Sequence, residues 1–246
     1  MDALVLGGGR GDGLAKAYGV PSKAFLPLAG RPMASWVLAA LREGGVRRVA
    51  FVGPGEPLDP EPDLRLADTG DLLGNVEAGL QALAGDRPVL VATADVPLLS
   101  PEAVGYFLEN APEAALVYPI VPKERVEARF PGMKRTYARL REGTFTGGNL
   151  VVLDPGLFKK ALPLARKVVR HRKNPLALAG LFGLGTILKL LLGRLSVAEL
   201  EARGGKILGV PVRAMVVPYP EIGVDVDKPE DVKMVERELL KGARLA

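Results

Sequence analysis

Residues 4–14 read Leu4-Val5-Leu6-Gly7-Gly8-Gly9-Arg10-Gly11-Asp12-Gly13-Leu14. Residues 2–6, apolar from Ala3 onward, predict a buried strand. The glycines after it let backbone N–H groups approach phosphate oxygens without side chains in the way. A long loop follows to about Pro27, and Lys23 on that loop supplies a compact positive charge suited to phosphates. The stretch therefore predicts a phosphate-binding loop at the end of the first strand.

Two better-known phosphate motifs do not fit this spacing. The dinucleotide motif G-x-G-x-x-G would need glycine in place of Asp12 or Leu14. The Walker motif needs a lysine directly after a glycine, and neither Lys16 nor Lys23 has one before it. The sequence therefore disfavours an NAD enzyme or a P-loop ATPase.

Apolar runs and amphipathic stretches alternate along the rest of the chain. Strands are predicted over 49–52, 89–94, 115–120, 149–153 and 212–217. Helices are predicted over 33–41 and 72–83, from Pro101 with Ser100 as N-cap, and from Pro229. Residues 53–70, rich in Pro, Gly and Asp, predict a loop. Strands that alternate with helices predict a three-layer α/β/α, Rossmann-like fold with a mostly parallel sheet.

Three aspartates are candidate ligands for a divalent cation. Asp95 follows a predicted strand, at the sheet edge where open α/β sheets bind ligands. Asp225 and Asp227 would share one face of a strand, and their mutual repulsion favours a bound cation. Mg²⁺ prefers such oxygen ligands. Other roles stay open: Asp95 or Asp227 could cap a turn or helix, while we assign Glu230 and Asp231 to the dipole of the last helix.

Three segments, in the same order, resemble the MobA-like NTP-transferase superfamily, which includes sugar-phosphate nucleotidyltransferases. After its glycine-rich loop the family has Pro-Lys-x-Leu-x-x-Leu-x-Gly-x-Pro-Met, and residues 21–33 are similar to it with Ser22 inserted. Residues 95–98 match the family's Asp-x-Pro-Leu. Residues 225–231 resemble Asp-x-Asp-Thr-Pro-Glu-Asp, with Lys228 in place of threonine. The resemblance spans nearly the whole chain.

One departure concerns the arginine that the family usually carries after its glycines. Gly13 stands at that position, and Arg10 and Lys16 are the candidates to replace it. The departure keeps open a catalytically degenerate, nucleotide-binding regulatory module.

The resemblance implies a nucleotide-diphospho-sugar transferase fold and one nucleotidyltransferase domain over residues 1–246. It implies an enzyme that transfers an NMP from an NTP to a small phosphorylated acceptor, releases pyrophosphate and uses Mg²⁺. The implied catalytic residues are Lys23, Arg10 and Asp95. The implied nucleotide contacts are Leu6, Gly7, Gly8, Gly9, Gly11, Lys23, Gly74, Asn75 and Asp95. The implied acceptor contacts are Gly148 and Asn149, and the implied metal ligands are Asp95, Asp225 and Asp227.

Simpler structural roles stay open for two of these segments. Asn75 could cap the helix over 72–83, and Gly148 with Asn149 could form a tight turn.

Composition excludes or disfavours several classes of protein and of site. The 246 residues carry a net charge of +5, no cysteine and one histidine, His171. Disulfides and thiolate metal sites are excluded, and a Ser-His-Asp triad would have only one possible base. Between Asp154 and Glu199 there are nine basic residues and no acidic one. Because the positive excess lies in one segment and aromatic residues are few, no nucleic-acid partner is expected.

This basic, apolar segment, 155–204, is predicted to be a helical insertion. It would pack on the core or on a second subunit, or cover the acceptor with a lipid-like tail or a membrane surface against it. A membrane-surface adaptor acting through 155–192 and a homodimer therefore stay open. Without a leader peptide or a spanning stretch, a cytoplasmic protein is expected.

Overall fold

The computed structural model describes residues 1–9, 13–83, 85–171, 180 and 182–242. The strands are β1 (Asp2–Leu6), β2 (Pro27–Leu28), β3 (Arg31–Pro32), β4 (Val49–Val52), β5 (Leu64–Leu66), β6 (Val89–Thr93), β7 (Leu116–Pro122), β8 (Ala138–Leu140), β9 (Gly143–Gly147), β10 (Leu150–Leu153) and β11 (Val212–Val216). The α-helices are α1 (Gly13–Tyr18), α2 (Met33–Glu43), α3 (Leu72–Leu83), α4 (Pro101–Asn110), α5 (Lys123–Arg129), α6 (Pro155–His171), α7 (Leu184–Leu191), α8 (Val197–Leu208) and α9 (Pro229–Gly242). Short 3₁₀ helices cover Lys23–Phe25 and Pro220–Gly223.

One large sheet organises the chain. Its strands lie in the order β5-β4-β1-β6-β10-β7-β9-β8, and β11 pairs with β7. Strands β9 and β10 run antiparallel to the other strands, which all share one direction. The mostly parallel sheet that the sequence predicts is confirmed.

Helices cover both faces of the sheet because side chains alternate along each strand. On β1, Ala3 and Val5 join a core that includes side chains of α2 and α4. Leu4, between them, packs with side chains of α3 and α6 on the opposite face. Strands buried on both faces need continuous apolar sequence, as residues 3–6 show. The three-layer α/β/α fold is therefore confirmed.

Most predicted elements are found within a few residues of their expected bounds. Ser100 caps α4 as predicted, since its hydroxyl accepts from the Ala103 N–H at 3.2 Å. Two predictions of loop were wrong. The stretch before Pro27 contains α1 and a 3₁₀ turn, and 53–70 contains β5.

Segment 155–204 contains α6, α7 and the first eight of the 12 residues of α8. Helix α6 packs against α3, and α8 packs on β11. Its role as an insertion in one domain stays a prediction. In the described ranges no helix combines the length and the apolar character needed to cross a bilayer.

Candidate functional site

The candidate site forms where β1 and β6 end side by side. The Ala94 N–H donates to the Leu6 carbonyl at 3.0 Å, which aligns the two chain ends. The Val226 N–H donates to the Asp95 carbonyl at 2.9 Å and brings the carboxy-terminal aspartates to the same edge. Residues that are distant in sequence therefore meet at the edge where open α/β sheets bind ligands.

Ser22 ties the lysine segment to the glycine loop. Its hydroxyl is buried and donates to the Gly7 carbonyl at 2.8 Å. Lys23 follows in a 3₁₀ turn, and Phe25 packs edge-on against Phe51 with ring centroids 6.0 Å apart. The serine that departs from the family pattern therefore fixes Lys23 beside the first strand.

Lys23 bridges two of the three predicted metal ligands. Its Nζ lies 2.8 Å from Oδ2 of Asp95 and 2.8 Å from Oδ1 of Asp227. Asp95, Asp225 and Asp227 each offer an oxygen, and the three oxygens lie within 4.8 Å of one another. No strand covers 224–227, so the expectation of a strand there was wrong, although the carboxylates converge as predicted.

Two positively charged side chains, Lys23 and Arg135, neutralise part of the charge of the three aspartates. Burial disfavours the charge of Lys23, but its ion pairs with Asp95 and Asp227 outweigh burial and raise the pKa of the ammonium. Arg135 forms an ion pair with the Asp225 carboxylate, and its Nη1 donates to the Asp225 carbonyl at 3.1 Å. The site therefore holds three carboxylates beside two positive side chains.

The helix-capping role considered for Asp227 belongs to another residue. The Asp231 carboxylate accepts from the backbone N–H groups of Asp227 and Lys228 at 3.0 and 2.9 Å. This confirms the assignment of Asp231 to the start of α9. The Asp227 side chain points instead to Lys23.

The glycine loop contacts Asp68, a residue that the sequence did not mark as a candidate. The Asp68 carboxylate accepts from the Gly9 N–H at 3.1 Å and from the Asn75 amide at 2.8 Å. A Cβ on Gly8 would lie 2.7 Å from this carboxylate, so only glycine fits without a shift. Asp68 therefore fixes the described part of the loop at Gly8 and Gly9.

Gly74 and Asn75 lie in the first turns of α3. The Asn75 side-chain oxygen accepts from the Thr69 N–H at 2.8 Å, so its amide holds the preceding loop. The prediction that Asn75 caps α3 was wrong. Asp71, which directly precedes the helix, caps it: its carboxylate accepts from the Gly74 N–H at 2.9 Å. Base recognition by Gly74 and Asn75 stays a prediction.

Gly148 and Asn149 lie between β9 and β10. The Gly148 N–H donates to Pro119 at 2.9 Å, and the Asn149 N–H donates to Ile222 at 2.9 Å. Both strands pair antiparallel with β7 and so run in the same direction, which makes the segment an interruption between them and not a tight turn. Gly148 and Asn149 line a cavity of about 940 Å³ that reaches Asp225. Their contact with an acceptor stays a prediction.

Two predicted residues, Arg10 and Gly11, lie outside the described residues, so the structure does not place them. Three contributors were missed: Arg135, Asp68 and the structural role of Ser22. Arg135 lies in the stretch 121–145, which is rich in lysine and arginine but carries no motif. Asp68 lies in a stretch read as a loop.

The chain belongs to the MobA-like NTP transferase family, whose model matches residues 3–183. This defines the class of protein as a nucleotidyltransferase. A structure described as a hypothetical transferase from Thermus thermophilus is 60% identical, with a TM-score of 0.89 over 94% of this chain and 98% of that one.

Two further proteins are similar to the chain. The 2-C-methyl-D-erythritol 4-phosphate cytidylyltransferase of Thermus thermophilus has the same fold, with 19% identity and a TM-score of 0.58 over 97% of this chain and 98% of that one. The bifunctional protein GlmU of Xanthobacter autotrophicus is 40% identical over 106 residues, which are 39% of this chain and 23% of GlmU. The chain thus spans about a quarter of the length of that curated relative.

Proposed function

We propose that the protein transfers a nucleoside monophosphate from an NTP to a small phosphorylated acceptor and releases pyrophosphate. The observation that carries the proposal is the cluster of three aspartates beside the glycine loop, two of which pair with Lys23. The cytidylyltransferase relative carries a phosphorylated compound in its name, which supports an acceptor of that kind.

The donor set fits a hard divalent cation such as Mg²⁺. Oδ1 of Asp95 is buried and has no hydrogen-bond partner in the described part of the chain, so it is a polar atom that a cation would satisfy. Asp95, Asp225 and Asp227 are the residues that would hold the ion. Bound there, the ion supplies charge neutralisation for the phosphates.

Lys23 and the glycine loop supply the remaining chemistry. An oxygen of the acceptor phosphate attacks the α-phosphorus in line, the bond between the α-phosphorus and the bridging oxygen breaks, and pyrophosphate leaves with the electron pair. Lys23 stabilises the charge that grows on the α-phosphate. The backbone N–H groups of the glycine loop hold the leaving pyrophosphate. An ionised acceptor phosphate needs no general base, so the site requires no histidine.

The test is pyrophosphate release from Mg²⁺ and each NTP in turn, with a panel of phosphorylated acceptors. We expect one NTP to support release. Asp95→Asn should abolish it, and Asp86→Asn should not, because Asp86 is exposed and precedes β6, at the end of the strand opposite Asp95. NTP binding without release for any acceptor would favour the regulatory module instead. Absence of NTP binding would refute the proposal.

A second candidate function is attachment to an anionic membrane surface. Helix α7 and the residue after it expose four leucines: Leu184, Leu188, Leu191 and Leu192. These lie within the segment that carries nine basic residues and no acidic one. Apolar side chains beside basic ones suit an interfacial helix. Co-sedimentation with phosphatidylserine vesicles tests it: binding should survive Asp95→Asn and be lost in Leu184→Glu, and equal binding to neutral vesicles would contradict it.

A further inference from the structure

The cavity of about 940 Å³ lies between the sheet and the helices of the basic segment. Its floor is formed by alternate residues of β7, Leu116, Tyr118 and Ile120, with Val212 and Ala214 of β11 beside them. Its roof includes Leu190 and Leu191 of α7 and Leu200 and Gly204 of α8. The volume is within the range of small-molecule sites, which hold about 300–1,000 Å³.

Most of the floor and roof is apolar, and two of the charged side chains that line the cavity, Glu201 and Arg213, already have partners. The Glu201 carboxylate accepts from the Ala214 N–H at 2.8 Å and lies 3.8 Å from Arg213. A sugar would need several convergent donors and acceptors to replace its water, since an unpaired hydroxyl costs free energy on burial. An alkyl or prenyl chain needs only the apolar surface, and each methylene that it buries adds to its affinity.

One end of the cavity has the opposite character. Arg135, Tyr137 and Asp225 line it, and Asp225 belongs to the carboxylate cluster. Within the described ranges, Nε of Arg135 and the hydroxyl of Tyr137 are buried without a hydrogen-bond partner. Two unpaired donors at one end of a cavity favour an anionic group there. The cavity thus joins a phosphate-compatible end to an apolar wall.

We infer that the acceptor is a phosphomonoester that carries an apolar chain, with its phosphate at Arg135 and Tyr137 and its chain between β7 and the helices α7 and α8. This inference rests on the proposed function and names its acceptor class. It commits to a bound amphiphile and not to the membrane surface considered above.

Direct binding of alkyl phosphates tests the inference separately from catalysis. The full chain, with Mg²⁺ and without NTP, would be titrated with butyl, hexyl and octyl phosphate below micelle-forming concentrations. Full burial of a methylene gives about a fourfold gain in affinity. Because the cavity is open at Leu191, which is 78% exposed, we expect roughly threefold per methylene. Equal affinity across the series would overturn the inference.

Gly204→Leu tests the chain-binding wall. A Cβ there meets only Val212, at 3.8 Å, so the backbone accepts a side chain that fills the cavity. We expect octyl phosphate to bind about tenfold more weakly and butyl phosphate to change less than about twofold, because only the longer chain reaches this wall. Gly204→Ala is the conservative control. Unchanged binding of octyl phosphate by a folded Gly204→Leu would overturn the inference.

A surface pair gives a second test that does not depend on repacking. Leu191 and Leu184 lie on the same helix and are 78% and 79% exposed, but only Leu191 lines the cavity. Leu191→Glu should weaken octyl phosphate binding at least about fivefold, and Leu184→Glu should leave it unchanged, because only the first places a charge beside the chain. An equal loss in both variants would indicate partition onto the leucine surface and would overturn the inference.

Tyr137→Phe tests the phosphate end. It should weaken all three alkyl phosphates by the same factor, about threefold to tenfold, without changing the gain per methylene, because it removes one donor to the phosphate. No loss for any of them would overturn the placement of the phosphate.

Failure of the inference and failure of the proposed function are distinguishable. Chain-length-dependent binding without nucleotide transfer from any NTP would support the inference and contradict the proposed function. Nucleotide transfer to polar sugar phosphates, with no dependence on chain length, would do the reverse.

Discussion

Replacement of Lys23 by methionine should change metal binding and catalysis in opposite directions. The Lys23 ammonium lies 2.8 Å from both Asp95 and Asp227, so it occupies the space between two of the carboxylates that would hold a cation. Methionine keeps similar volume and removes the charge. The nucleotide-free variant therefore has a more electronegative carboxylate cluster. The NTP-bound variant lacks the lysine that we propose stabilises the α-phosphate.

The size of the change in stability and in Mg²⁺ affinity follows from the spacing of the carboxylates. Two unit charges 4.8 Å apart repel by about 3.5 kcal/mol at an effective dielectric constant of about 20. Asp227 is 57% exposed, so water screens much of this repulsion, and about 1–2 kcal/mol is a realistic share. Lys23→Met should lower the free energy of unfolding by that amount without metal. It should also bind Mg²⁺ roughly fivefold to thirtyfold more tightly without nucleotide.

Titration calorimetry of the nucleotide-free protein with Mg²⁺ measures the change in affinity. Lys160→Met, which removes an exposed lysine of α6, is the matched control and should leave Mg²⁺ affinity unchanged. Transfer activity of Lys23→Met should fall at least about a hundredfold, because a preorganised charge near the reacting phosphate is lost. If Mg²⁺ bound Lys23→Met no more tightly than the wild-type protein, the reasoning about competition between lysine and metal would be refuted.

Three further predictions concern the loop and the helices. Ser22→Ala removes the donor to the Gly7 carbonyl and should lower the urea-derived free energy of unfolding by about 1–2 kcal/mol; no change would show that water replaces the hydroxyl. Gly8→Ala forces its Cβ against Asp68 and should cost about 1–3 kcal/mol and weaken NTP binding; unchanged calorimetric affinity would contradict this. A lysine ammonium of α7 and a backbone N–H lower the pKa of Glu199 from 4.5 to about 2, so its carboxylate stabilises the fold above pH 4.5 and loses that contribution as pH falls to about 2. The difference in melting temperature between wild type and Glu199→Gln should shrink over that window, and a constant difference would contradict the assignment.

Sequence reasoning located the site where local pattern and topology suffice. Asp95 could be placed because it directly follows a buried apolar run, and parallel strands end at one edge of the sheet. Asp225 and Asp227 could be selected from their spacing and from the family segment. No strand was needed to bring them together, because the Val226 N–H bonds to the Asp95 carbonyl.

The missed features depend on contacts between distant residues. Arg135 reaches Asp225 across 90 positions, and nothing in its own neighbourhood marks that partner. Asp68 contacts Gly9 across 59 positions in the same way. Strand β5 has only three residues among prolines and glycines, too few for a periodic signal. Tertiary packing decides such elements.

The most direct test of the central claim follows the phosphorus atoms. The protein would be incubated with Mg²⁺, the NTP that supports pyrophosphate release and its acceptor, with label on the α-phosphate in one reaction and on the γ-phosphate in another. Nucleotidyl transfer predicts α-label in the acceptor product and γ-label in pyrophosphate, both lost in Asp95→Asn. γ-Label in the acceptor, or α-label that stays in a nucleoside diphosphate, would contradict the account.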